Sequence, residues 1–176
     1  MKEIRFEERR KEYRLPYNEK VILTDGNRSI TAYAANISRG GLFIMSLEPL
    51  PIDTQADLAF CLPNQEQSFC VKAKVAHIIF DRQRCEVECG MGTQFLDLNE
   101  SQKSILNLHI INTQTTYMEL KKLLAAPKLD QVEIAKCLKL VPSLIGIDLL
   151  LLRYRVLRIC TLFEPEPVFE GGKLRA

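Results

Sequence analysis

Histidine is nearly absent from this chain. Only His77 and His109 occur in 176 residues. Each sits among apolar residues, so a metal centre has almost nothing to build on. The six cysteines, Cys61, Cys70, Cys85, Cys89, Cys137 and Cys160, contain no Cys-x-x-Cys pair. Cys85 and Cys89 flank Glu-Val-Glu, a spacing that suits one face of a strand better than zinc, and reduced core thiols are the expectation. Charge of one sign is scarce too: 24 Lys+Arg against 22 Asp+Glu leaves +2. A general nucleic-acid binder carries a clustered basic face, so DNA is not an expected partner. No signal peptide is expected, because Met1 is followed by charged Lys2, Glu3 and Arg5 rather than an apolar stretch. The apolar stretch at 140–152 is broken by Pro142, Gly146 and Asp148. It also falls short of the ~20 residues that cross a bilayer. These absences lead us to expect a cytoplasmic protein without a transmembrane segment. Catalytic constellations are missing as well. No Ser/His/Asp arrangement, no cysteine with a usefully spaced histidine, no phosphate-cradling glycine loop before a helix and no paired carboxylates in an apolar setting occur. The expectation is a non-enzyme with no catalytic residue, no metal and no cofactor.

What is present reads as two kinds of structure. The apolar share of 47% and charged share of 26% are ordinary for a globular protein. Residues 1–14 are charged at nearly every position with mixed sign and have no apolar stripe to bury, which predicts a mobile arm. Val21, Ile22 and Leu23 open an extended segment. Asp25-Gly26-Asn27 is a hairpin turn, and 29–35 returns with Ile30, Ala32 and Ala34 alternating against Thr31 and Tyr33. Further strands are predicted at 42–45, 56–62, 69–80 and 85–95, with Gly90 and Gly92 marking a bulge or bend in the last. Short strands at spacings of ~8–12 residues argue for a small antiparallel barrel or sandwich.

Beyond residue 99 the period changes. Asn99 or Ser101 caps a helix with Ile105, Leu108, Ile111, Leu120 and Leu124 at helical spacing. The threonines around Gln114 leave open whether one helix reaches Ala125 or two meet near Thr115. Asp130 caps a short helix to Leu140 with Val132, Ala135 and Leu138 or Lys139 inward. A third helix is predicted over 144–163. The chain thus divides into an N-terminus at 1–7, a β domain at 8–112, a helical extension at 113–165 and a tail at 166–176. The extension holds more leucine than a segment of this size easily hides alone. Packing back on the β domain or pairing with another copy or a protein partner would cover it, and a helix that is apolar on several sides favours pairing.

Two motifs carry chemistry. The first is Arg10-x-x-x-Arg14, with Arg9 beside it as a third candidate. A guanidinium forks onto phosphate oxygens or the O6/N7 edge of guanine, and its plane stacks on a base. The same spacing recurs at Arg5 and Arg9, but Leu15-Pro16 and the first strand tie the Arg10/Arg14 pair to the β domain. The second motif is Asn36-x-Ser38-x-x-Gly41, with Gly40 preceding its last glycine. Asn36 can donate and accept along a base edge. Ser38 offers a hydroxyl for a phosphate or a turn, and adjacent glycines let another group approach the backbone. An Asx-turn with a glycine corner would give the same sequence without any ligand.

The two motifs, their order and the strands that follow together resemble the PilZ family, bacterial receptors for cyclic di-GMP (c-di-GMP). The segment from Gly92 to Asp97 leading into a helix is similar to the family as well. The resemblance covers 8–112. It implies a six-stranded antiparallel β-barrel. With the helices read beyond residue 112, which the resemblance does not cover, the expected fold is mainly β plus α, a barrel followed by a C-terminal helical extension. The resemblance also implies c-di-GMP as ligand, with the arginines gripping guanine and phosphate while Asn36, Ser38 and the glycines meet the other base. Family members that have lost these residues act as ligand-free adaptors; this chain keeps them.

Overall fold

The computed structural model describes residues 13–63, 65, 68–79 and 89–163. Among these residues six strands run β1 (Leu15–Thr24), β2 (Ser29–Ser38), β3 (Gly41–Met45), β4 (Gln55–Cys61), β5 (Ser68–Ile79) and β6 (Gly90–Phe95). They close a barrel in the order β1-β2-β3-β6-β5-β4, and each neighbouring pair is antiparallel. Closure gives each of these six described strands a paired neighbour on both sides, so none of them is an edge strand that could template another chain. Two compact units divide the chain, Met1–Thr113 and Gln114–Ala176.

The barrel forms because its strands alternate. In β5, Phe69, Val71, Ala73 and Val75 are buried while Ser68, Cys70 and Lys72 are exposed. In β4, Ala56, Leu58 and Phe60 are buried between exposed Gln55, Asp57 and Cys61. Phe60 stacks on Phe69 at 5.2 Å and on Phe95 at 5.7 Å, and meets Tyr17 edge-on at 6.3 Å. The Tyr17 hydroxyl donates to the Cys61 carbonyl. Burial, reinforced by Glu19 and Cys61, holds this phenol protonated well above its ordinary range. Asp25 turns the first hairpin by accepting from the backbone N–H of Asn27 and Arg28, both at 2.9 Å, which holds its carboxyl below the usual range.

Several expectations shift. Strand β1 begins at Leu15 rather than at Val21; a register irregularity between Pro16 and Glu19 absorbs the misfit against β2. The bulge expected at Gly90 and Gly92 lies instead on the facing strand, between Val75 and His77. Cys61 and Cys70 are exposed rather than core residues, because Phe60, Phe69 and Val71 take the inward positions on either side. The part of the last predicted strand that includes Cys85 lies outside the described residues, as do 1–12 of the N-terminal arm.

A single helix, α1 (Glu100–Ala125), runs through the threonines. Asn99 caps it in a reciprocal box: its side chain accepts from the Gln102 N–H at 2.8 Å, and the Gln102 carboxamide accepts from the Asn99 N–H at 3.0 Å. Gln102 Nε2 also donates to the Cys70 carbonyl at 3.2 Å, fixing the helix start to β5. Helix α2 (Gln131–Leu140) is capped by Asp130 as expected, but its inward residues are Ile134, Cys137 and Leu138, with Val132 and Ala135 outside. Helix α3 (Leu149–Cys160) starts five residues later than expected. Pro142–Leu144 forms a short 3-10 turn, and the Asp148 carboxylate accepts from Leu150 and Leu151 to open the helix. The helical unit has its own core of Tyr117, Leu120, Leu124, Cys137, Val141, Leu144, Leu152, Val156 and Cys160. Burial pushes the Tyr117 phenol and the Cys137 thiol up.

Candidate functional site

The corner between β2 and β3 is set by strand register. Leu15 pairs with Ile37 and Pro16 with Asn36 across β1 and β2. That pairing delivers Arg14, the residue before Leu15, to the end of the barrel where Ser38 leaves β2. Ser38 in turn pairs with Gly41 across the turn into β3. Ile37 is fully buried, so alternation turns Asn36 and Ser38 to the outer face. The fold therefore gathers five of the seven sequence-predicted site residues, Arg14, Asn36, Ser38, Gly40 and Gly41, at one corner. Arg9 and Arg10 lie outside the described residues.

Local chemistry divides the five. Ser38 is engaged in the turn: its Oγ accepts from the Gly40 N–H at 3.3 Å and donates to the Gly41 carbonyl at 3.4 Å. Both contacts are long, so the hydroxyl can exchange them for a better acceptor. Gly41 is demanded by packing, since a Cβ there would stand 1.8 Å from the Thr93 carbonyl oxygen of β6. The Gly40 carbonyl accepts from the Phe95 N–H at 2.8 Å, which pins the turn to β6. Asn36 differs from these. Its Oδ1 is buried and has no hydrogen-bond partner among the described residues. A buried acceptor left unmade costs about 1–3 kcal/mol.

A floor lies beside this corner. Asn36 pairs with Phe43, Phe43 with Gly92, and Gly92 with His77. The Phe43 and His77 rings stack at 6.2 Å. Gly92 is what lets them meet, because a Cβ there would lie 1.9 Å from the His77 ring. Sequence reading treated His77 only as a poor metal ligand and missed its place here; its three-strand neighbourhood becomes visible only through the register. No group of three or more potential metal ligands occurs among the described residues. No helix among them is long and apolar enough to cross a membrane.

Comparison with known proteins adds the family and the fold. The profile of the PilZ domain matches residues 8–112. Among solved structures, the Bacillus subtilis inhibitor of motility MotI/DgrA is similar at 19% identity and TM-score 0.52, covering 62% of this chain and 53% of that one. YcgR from Escherichia coli, solved in complex with c-di-GMP, is similar at 17% identity and TM-score 0.51, covering 63% and 48%. The K. pneumonia MrkH–c-di-GMP complex is similar at 16% identity and TM-score 0.53, covering 60% and 52%. The chain thus spans about half the length of these structures. No curated protein matches it.

Proposed function

Since the chain belongs to the PilZ domain family, we propose that it is a non-catalytic, cytoplasmic receptor for c-di-GMP, needing no cofactor. The observation that carries this reading is Asn36, whose buried Oδ1 lacks a partner among the described residues, in the corner beside which the Leu15–Ile37 pairing sets Arg14. Guanine offers the missing donor, since its N2 amino group is one. Arg14 with Arg10, and Arg9 beside them, supply the guanidinium forks for phosphate and for the guanine O6/N7 edge. Ser38, Gly40 and Gly41 bring the turn close to the second base. Ligand binding draws the arm that carries Arg9 and Arg10 against the barrel, a disorder-to-order switch that alters partner or subunit contacts. Residues 113–165 are the surface through which a second copy or a protein partner is met. The outward residues Leu150, Tyr154 and Leu157 of α3 support that role.

A ligand-independent adaptor is the second reading. It is favoured by Gly41 and Ser38, because packing against Thr93 and the turn hydrogen bonds account for both without a ligand. Isothermal titration with c-di-GMP separates the two. Saturable micromolar or tighter binding, lost in Arg10→Ala/Arg14→Ala and weakened in Asn36→Ala, is expected of a receptor. Absence of binding at high ligand concentration leaves the adaptor. Release of a linear dinucleotide would make the chain an enzyme.

A further inference from the structure

The row of residues that begins at the Ser38 corner continues across the barrel. Ser38 pairs with Gly41, Gly41 with Gln94 on β6, and Gln94 with Lys74 on β5. Directly paired residues on antiparallel strands point to one face. Thr93 and Phe95 beside Gln94 are buried, as are Ala73 and Val75 beside Lys74, so Gln94 and Lys74 stand on the outer face with Ser38. Gly41 puts no side chain between Ser38 and Gln94; the β6 backbone, the Thr93 carbonyl oxygen nearest, takes the place where its Cβ would stand. Each step between paired strands is ~5 Å, so Lys74 starts roughly 10 Å from Gly41, a span that a two-base, two-phosphate ring can bridge.

Lys74 is already held in place by an anion. Its Nζ lies 3.1 Å from Asp53 Oδ1, with the lysine side chain 34% exposed and the carboxylate 76% exposed. Asp53 adopts φ 67, the left-handed region that few side chains other than Asp and Asn accept. Two backbone bonds fix this loop to β5: Asp53 N–H to the Val75 carbonyl at 2.8 Å, and Val75 N–H to the Thr54 carbonyl at 2.9 Å. The carboxylate is therefore presented to Lys74 by a defined loop. An ion pair this exposed is weak, and a phosphodiester oxygen is an equivalent acceptor for the same ammonium.

We propose that Gln94 and Lys74 extend the ligand site sideways from the Asn36/Ser38 corner, with Lys74 taking a phosphate in exchange for Asp53 and Gln94 hydrogen-bonding the adjacent base. This rests on the c-di-GMP reading above and names two further specificity residues and one competitor for it. The exchange has a signature that a structural role lacks, because removing the lysine and removing its carboxylate act in opposite directions.

The test is titration of the full chain with c-di-GMP at two salt concentrations. Lys74→Gln is expected to weaken binding about 5- to 10-fold and to reduce its salt dependence, while Lys74→Arg restores both, as expected for a charge-assisted contact. Gln94→Ala is expected to weaken binding about 5-fold. Asp53→Asn keeps a side chain that tolerates positive φ and is expected to tighten binding about 2- to 3-fold by freeing the ammonium. All four variants are expected to melt with the unaltered protein. Unchanged affinity in Lys74→Gln and Gln94→Ala overturns the proposal while leaving the receptor reading intact. So does an Asp53→Asn variant that binds as weakly as Lys74→Gln. Failure of the unaltered chain to bind overturns the receptor reading, and this proposal with it.

Discussion

Strand β5 and helix α3 both bury one face, but they treat the other face differently. Opposite Phe69, Val71, Ala73 and Val75, β5 presents Ser68, Cys70 and Lys72 to solvent. Opposite Leu152, Val156 and Cys160, α3 presents Leu150, Tyr154 and Leu157, at i, i+4 and i+7, with Leu150 80% exposed. The contrast extends to the two units. The barrel has paired its strands by closing on itself. It too leaves apolar side chains exposed, Leu47 and Ile52 among them, but it alone combines them with a buried polar acceptor that has no partner among the described residues at a motif corner, Asn36 Oδ1. The helical unit has a core of its own and still carries apolar surface beyond it, including Leu140 and Ile145. The unpartnered polar atom at Asn36 is the feature that the proposed ligand would use, and the Leu150/Tyr154/Leu157 stripe is the one that the proposed partner surface would use.

The sharpest way to break this comparison is to damage each unit where it is most constrained. Leu120 is fully buried in the helical core, and Leu120→Ala is expected to cost about 2–5 kcal/mol by urea denaturation. A loss under ~1 kcal/mol would mean that this core is not the unit's main support. Gly41→Ala drives a Cβ against the Thr93 carbonyl oxygen, a backbone atom that cannot rotate away. It is expected to cost roughly 1–3 kcal/mol and to remove ligand binding through the distorted turn. A Gly41→Ala protein that melts normally yet fails to bind would instead assign this glycine to the ligand rather than to the fold.

How much of this was legible beforehand follows the same division. The barrel strands could be read because period-2 alternation and turn residues are local signals, and the motif that gathers Arg14, Asn36 and Ser38 is short. The facing of Gly41 by Thr93 and the stacking of Phe43 on His77 could not be read. They depend on the β3–β6 and β5–β6 registers, which join residues far apart in sequence, and on a bulge that no local signal located. Among the helices, the Asp130 cap was legible from chemistry at fixed spacing, and the α1 cap was narrowed to Asn99 or Ser101. Helix faces were not: a leucine-rich helix such as α3 has apolar residues at every angle, so periodicity does not say which stripe is buried. The same weakness misassigned the inward face of α2, where Val132 and Ala135 are outside.

Smaller effects refine the contrast. Asp148 opens α3 by accepting from Leu150 and Leu151 at 3.0 and 3.1 Å. Asp148→Ala is expected to cost about 1 kcal/mol, and Asp148→Asn much less, in thermal denaturation. Burial holds the His109 imidazole below its ordinary value of 6.5. The folded chain then binds this proton less readily than the unfolded chain, so stability is present above that value and falls as pH drops through it. The His109→Gln variant is expected to show a flatter stability profile between pH values of about 5 and 7. An unchanged profile would mean that His109 does not titrate differently in the two states.

The smallest expected effect is the most informative about the helical unit. Leu150→Gln alters a side chain that its own unit leaves almost bare, so the stability of the isolated chain is expected to stay within about 0.5 kcal/mol. If residues 113–165 join a second copy, sedimentation of the unaltered chain shows a dimer and Leu150→Gln/Tyr154→Gln shifts it toward monomer, with c-di-GMP affinity unchanged. A variant that loses stability while sedimenting as before would show that the stripe is covered within a single chain. A variant unchanged in both, from an unaltered chain that is already monomeric, leaves the apolar stripe to a different protein. The partner would then have to be sought by its fit to Leu150, Tyr154 and Leu157.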